Sequence, residues 1–81
     1  MIEIERWVWK LNMPEMVCLN EENGVVVKIE KKGDSIKGRI KDLSMDLLKK
    51  FSEIRNGPLV MKQIVMAAEN EFQKAGSECC N

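Results

Sequence analysis

The cysteine thiols Cys18, Cys79 and Cys80 are the candidate nucleophiles of this chain. A thiol nucleophile needs a base beside it, and the sequence contains no histidine to act as that base. Cys18 lies between Val17 and Leu19 in an apolar run and is interpreted as a small buried hydrophobe. Cys79 and Cys80 are adjacent, a spacing that suits a single metal ion poorly, so we expect neither a metal site nor a redox function there.

Two pairs of carboxylates are the remaining candidates for acid–base chemistry. Glu69 and Glu71 lie two apart on a predicted helix, where side chains diverge, and Glu21 and Glu22 lie in a predicted turn. The five glycines are scattered singly, without the glycine-rich loop that cradles phosphates. We therefore expect no catalytic residue, no cofactor and no small-molecule substrate, and predict that the protein is not an enzyme.

The most informative pattern is a β-type alternation over residues 24–41 that is interrupted at Lys32-Gly33-Asp34. In both halves aliphatic residues keep to one parity and cations to the other. A hairpin would therefore bury one face and expose a basic one. The alternative interpretation is a solvated surface whose lysines discourage pairing between sheet edges. The cations of the exposed parity, called the basic face below, are Lys28, Lys32, Lys37, Arg39 and Lys41.

Trp7 and Trp9 lie on one parity of an apolar run, and two interpretations of them stay open. They anchor the core, or they are exposed and stack on bases. Exposed tryptophans beside the basic face would resemble the aromatic and cationic surfaces of single-strand binders. However, thirteen basic and thirteen acidic residues cancel, whereas dedicated nucleic-acid domains are strongly basic.

The hydrophobic patterns along the chain predict an α+β fold, in which a four-stranded antiparallel β-meander is followed by a C-terminal helical hairpin (ββββαα). Ile2–Leu11 and Met16–Leu19 supply two strands before the hairpin, and sequential strands usually pair. The parity of the first run changes near Glu5. This change indicates either a bulge or a strand that is apolar on both faces.

Helical spacing of apolar residues begins after Asp42, and either Asp42 or Ser44 is the predicted cap. Asn56-Gly57-Pro58 is expected to end this helix, with Gly57 in the left-handed conformation and Pro58 in the first turn of the next. The second helix is predicted over about 59–75, with Gly76 as its terminator. Residues 1–76 then form one domain, and residues 77–81 form a flexible tail.

The second predicted helix carries apolar residues outside its main stripe, namely Leu59, Val60, Met66 and Ala67. The first helix, a second copy of the chain or burial in a monomer would each cover them. A chain of 81 residues builds only a small core, and small domains are commonly stabilised by association into oligomers.

These features favour a non-enzymatic protein-interaction or regulatory module that self-associates as a homodimer or binds another protein. A small nucleic-acid-binding domain that uses the basic face with Trp7 and Trp9 is the alternative. No apolar run approaches the ~20 residues that span a bilayer. The three cysteines form no disulfide framework. We therefore expect a cytoplasmic protein without a membrane partner.

Overall fold

The structure is a computed structural model that describes the backbone of residues 3–79 and the side-chain surroundings of residues 3–75. Its order of elements confirms the predicted ββββαα fold of the α+β class. The four strands form one antiparallel sheet in the order β1-β2-β3-β4. The elements are β1 (Lys10–Asn12), β2 (Val17–Asn20), β3 (Val25–Lys32), β4 (Ser35–Asp42), α1 (Met45–Glu53) and α2 (Gly57–Cys79).

The hairpin of β3 and β4 is closed by a turn at Gly33 and Asp34, between the paired residues Lys32 and Ser35. Gly33 has a φ of 61°, as the first central residue of a type II′ turn requires. At the other end the register shifts between Val26 and Val27. The shift leaves Lys41 as the extra residue of a bulge.

The predicted first strand, Ile2–Leu11, is wrong over most of its length, and its residue Ile2 lies outside the described residues. Ile4–Arg6 form a single 3-10 turn, in which the Trp7 N–H donates to the Ile4 carbonyl oxygen over 3.0 Å. This N-terminal turn directs the Ile4 side chain into the core. The parity change near Glu5 therefore marks a turn, and neither a bulge nor a strand that is apolar on both faces.

The core lies between one face of the sheet and the two helices. α2 lies close to the sheet at Gly38 of β4, where an added Cβ would lie 3.1 Å from Cγ of Glu69 and 3.1 Å from Cγ1 of Val27. Glycine thus permits this close approach. The buried core residues are Ile4, Cys18, Val25, Val27, Ile29, Leu47, Phe51, Ile64, Ala68 and Phe72.

The corner between the helices differs from the prediction at Gly57. The Ser44 hydroxyl accepts a hydrogen bond from the Leu47 N–H over 3.3 Å, which confirms the predicted cap of α1. Gly57 begins α2 and is not among the residues with positive φ, so its left-handed conformation was wrongly predicted. A Cβ on Gly57 would lie 2.6 Å from the Phe51 carbonyl oxygen. Glycine is therefore needed there for space.

α2 is longer than predicted, because it continues past Gly76 to Cys79. An isolated glycine costs a helix only about 1 kcal/mol, which does not force the helix to end. The expected flexible tail, 77–81, stays a prediction, since the side chains of residues 76–81, Cys79 and Cys80 included, lie outside the described residues. None of the described helices is both long and apolar enough to cross a membrane.

Candidate functional site

The basic face lies on the side of the sheet opposite the helices. Directly paired residues of an antiparallel sheet share a side, so the pairing of Lys28 with Arg39 and of Glu30 with Lys37 groups these side chains. Val27 and Ile29, of the other parity, lie in the core. All five cations of the basic face are solvent-exposed. The structure thus brings the five together on one uncovered surface.

The basic face shares the open side of the sheet with two acids, Glu30 and Asp42, since Asp42 pairs with Val26. Nη2 of Arg39 lies 3.6 Å from Oε1 of Glu30, and both side chains are well exposed. Such an exposed ion pair contributes little stability. The other four cations form no ion pair with any described residue. The surface is therefore positive although the whole chain has no net charge.

An aliphatic groove adjoins the basic face. Leu19 pairs with Val26 across β2 and β3, and Val17 pairs with Lys28, so these aliphatic residues share the open side with the cations. The groove has a volume of about 540 Å³. Four aliphatic and four polar residues line it, namely Leu11, Val17, Leu19, Val26, Lys10, Asn12, Glu15 and Lys41.

The sequence interpretation missed this groove, although a signal for it was present. Val17, Cys18 and Leu19 are apolar at both parities, a pattern typical of a strand that is covered on both faces. Cys18 is fully buried on the core side, and Val17 is only 8% exposed on the other. β2 therefore carries apolar side chains on the open side as well.

Trp7 and Trp9 are half-buried and pack against the core. Their ring centroids lie 6.0 Å apart with the ring planes tilted by 55°, as in favourable aromatic pairs. Phe51 and Phe72 are buried in the core. None of the described aromatic side chains thus lies on the open side of the sheet. The structure does not bring the tryptophans together with the basic face.

The four apolar residues singled out on α2 fall into two groups. Leu59 and Met66 are 55% and 54% exposed. Val60 and Ala67 are half-buried and pack against the core, because they flank the helix stripe that contains Ile64. The apolar surface of α2 is therefore smaller than the sequence indicated.

Met66 also lines a cleft between the N-terminal turn and α2. The cleft has a volume of about 540 Å³, and its lining includes Ile4, Arg6, Gln63 and Asn70. Nε of Arg6 lies 3.4 Å from Oε2 of Glu3, in an exposed ion pair. Sequence interpretation missed the cleft because it assigned this segment to a strand.

Cys18 is confirmed as a small buried hydrophobe. Its side chain has no exposed surface, and its Sγ donates a weak hydrogen bond to the Ala68 carbonyl oxygen over 3.5 Å. Burial, with a smaller effect from the negative charge of Glu71, raises the pKa of Cys18 to about 11. The thiol is therefore protonated at neutral pH, and a protonated thiol is a poor nucleophile.

No cluster of three or more potential metal ligands occurs among the described residues. No protein-family model matches the sequence, and neither a curated protein nor a solved structure matches the chain. The features that its own residues present are a positive sheet face with an adjoining aliphatic groove, and a partly apolar side of α2.

Proposed function

We propose that this protein is a non-enzymatic interaction module that binds an acidic protein partner on the open side of its sheet. The observation that carries the proposal is the placement of cations beside aliphatic residues on that side. Lys28 pairs with Val17, and Lys41 lines the groove together with Val26. Positive charge steers and orients an acidic partner, while burial of aliphatic surface supplies affinity.

The chemistry of this surface favours a polypeptide over a nucleic acid. Single-stranded nucleic acids are held by a basic groove together with aromatic side chains on which bases stack. The open side offers Val17, Leu19 and Val26 beside its cations, and these side chains give bases no aromatic platform. A polypeptide supplies both carboxylates and aliphatic side chains, which match the two components of the surface.

The proposed compartment is the cytoplasm. Cys18 is a free thiol buried in the core, and reducing compartments keep thiols in that form. A bound partner on the open side would leave this thiol covered.

A binding titration tests the proposal. A short peptide of alternating glutamate and valine is the probe, and single-stranded DNA of equal charge is the competitor. The triple variant Lys37→Glu, Arg39→Glu, Lys41→Glu is expected to lose peptide binding, because it reverses the charge of the basic face. The matched control is Lys49→Glu, Lys50→Glu, Arg55→Glu, which makes the same charge change at exposed residues of α1 and the following corner.

Retained binding in the control with loss in the sheet variant supports the proposal. No peptide binding by the wild-type protein at low salt, or equal loss in both variants, overturns it. Tighter binding of the DNA than of the peptide assigns the basic face to nucleic acid instead.

Self-association through α2 is a second candidate function. Leu59 and Met66 are seven residues apart, which places them on the same side of the helix two turns apart. Both side chains are about half exposed. A second copy of the chain that packs along this side would cover both side chains.

A further inference from the structure

β4 is an edge strand, and its outer side has no backbone partner among the described residues. It pairs with β3 on one side only, and no other backbone hydrogen bond involves it within the described part of the chain. At eight residues it is far longer than the opposite edge strand, β1, which has three. A long free edge is a template for an additional strand.

The register shows which backbone groups of β4 are free. The Ile29 N–H donates to the Met16 carbonyl oxygen over 2.7 Å, so the odd-numbered residues of β3 direct their backbone groups toward β2. The even-numbered residues of β3 then bond to β4, and their partners include Lys37 and Arg39. The backbone groups of the intervening β4 residues, Ile36, Gly38 and Ile40, point to the free edge.

The side chains of β4 disfavour its pairing with a second copy of itself. An antiparallel two-fold pairing that keeps the helices on one side of the sheet must place odd-numbered residues opposite odd-numbered residues. In the registers centred on Gly38 and on Arg39, both Lys37 and Arg39 lie opposite cations of the other copy. Directly opposed like charges are destabilising. The edge therefore selects against self-pairing and for a strand that carries acids at alternate positions.

α2 supports the inner side of such an added strand. It packs more extensively against β4 than against β3, with Glu69 close to Gly38. Val65 lies one helical turn from Glu69 on the same side of α2 and is half-buried. The alternate residues of an added strand would point toward the helix side of the sheet.

We infer that the free edge of β4 is a strand-addition site for an extended segment of an acidic partner protein, with acidic and aliphatic residues in alternation. This inference rests on the proposed function and adds to it a second contact of the same partner, at the edge next to Lys37 and Arg39 and separate from the groove at Val17 and Val26. The acidic residues face Lys37, Arg39 and Lys41 on the open side, and the aliphatic residues face α2. Backbone hydrogen bonds to Ile36, Gly38 and Ile40 align the segment.

Two methylated forms of the glutamate–valine peptide test the inference. In an antiparallel added strand, residues opposite Ile36, Gly38 and Ile40 exchange hydrogen bonds with them and share their side of the sheet. These are the valines. Methylation of the valine backbone nitrogens should therefore weaken binding at least about tenfold, whereas methylation of the glutamate nitrogens should leave it nearly unchanged.

Amide hydrogen exchange supplies the second measurement. Peptide binding is expected to slow exchange at Ile36, Gly38 and Ile40, and to leave exchange at Lys49 and Lys50 of α1 unchanged. Strand addition is overturned, and the proposed function still stands, if both methylated peptides bind equally well through the basic face and β4 gains no protection from exchange. Absence of binding by the unmethylated peptide overturns both.

Discussion

The side-chain amide of Asn20 donates a hydrogen bond to the backbone carbonyl oxygen of Val8 over 3.1 Å. The Asn20 side-chain oxygen accepts hydrogen bonds from the backbone N–H of Asn23 at 2.9 Å and from the Asn23 side-chain amide at 3.0 Å. Asn20 is 1% exposed. One buried polar side chain therefore joins the segment that enters β1 to the turn between β2 and β3.

Replacement of Asn20 by alanine is expected to destabilise the protein by about 1 to 3 kcal/mol, because it removes three part-buried hydrogen bonds of a buried side chain. Urea denaturation measures the free energy of unfolding. Asn12→Ala, at an exposed position of β1, is the control and should change stability by less than about 0.5 kcal/mol. Similar losses in the two variants would contradict the structural role of Asn20.

The buried Cys18 thiol predicts a pH dependence of stability. Its pKa is raised from 9.0 to about 11 in the folded protein, so the unfolded chain releases the proton first as the pH rises. The associated stability is complete below about pH 9 and is lost on approach to pH 11. Wild-type protein should therefore lose about 2 to 3 kcal/mol relative to Cys18→Ala over that range.

Contributions from the lysines and the other cysteines cancel in the difference in unfolding free energy between wild type and Cys18→Ala, because both proteins contain them. Denaturant titrations at pH about 8 and about 11 measure this difference. A difference that stays constant with pH would show that the Cys18 thiol is solvated in the folded state.

Substitution of the helix-corner glycine Gly57 by alanine should be strongly destabilising, because the new Cβ would meet the Phe51 carbonyl oxygen at 2.6 Å. We expect a loss of more than about 2 kcal/mol. Gly38→Ala is the comparison, since its Cβ would meet only side-chain atoms, at 3.1 to 3.2 Å, and these atoms can shift. Its loss should be nearer about 1 kcal/mol. Thermal melting measures both, and a neutral Gly57→Ala would mean that the corner is more open.

Self-association through α2 predicts a dimer whose thermal midpoint rises with protein concentration. Met66→Lys should convert it to a monomer, because it places a charge in the apolar contact. Ser52→Lys, at an exposed position of α1, makes the same charge change elsewhere and should leave the dimer intact. Light scattering measures the mass. A wild-type monomer at high micromolar concentration would rule out this use of α2.

The sequence by itself determined the elements whose signals lie within one short segment. The alternation on both sides of Gly33 predicted the β3–β4 hairpin, because its strands are adjacent in the chain and the glycine suits the turn. Ser44 was recognisable as a cap, since an N-cap hydroxyl reaches an N–H only three residues ahead. The grouping of cations on one side of the hairpin followed from the same alternation.

The packing of one element against another decided the rest. Ile4 leaves the strand pattern for a 3-10 turn because its side chain is accommodated in the core. Gly57 is required by the distance to Phe51, which no local pattern reveals. Trp7 and Trp9 pack against the core, a choice between two environments that strand parity alone left open.

In the candidate site, too, some features could be predicted from the sequence and others depended on the tertiary structure. Lys37 and Arg39 could be assigned to an exposed face from parity, which is a property of one strand. The groove at Val17 and Val26 and the free edge of β4 depend on strand order and on the side of the sheet that α2 covers. These are properties of the assembled sheet, because burial and backbone pairing are set by neighbours that are remote in sequence.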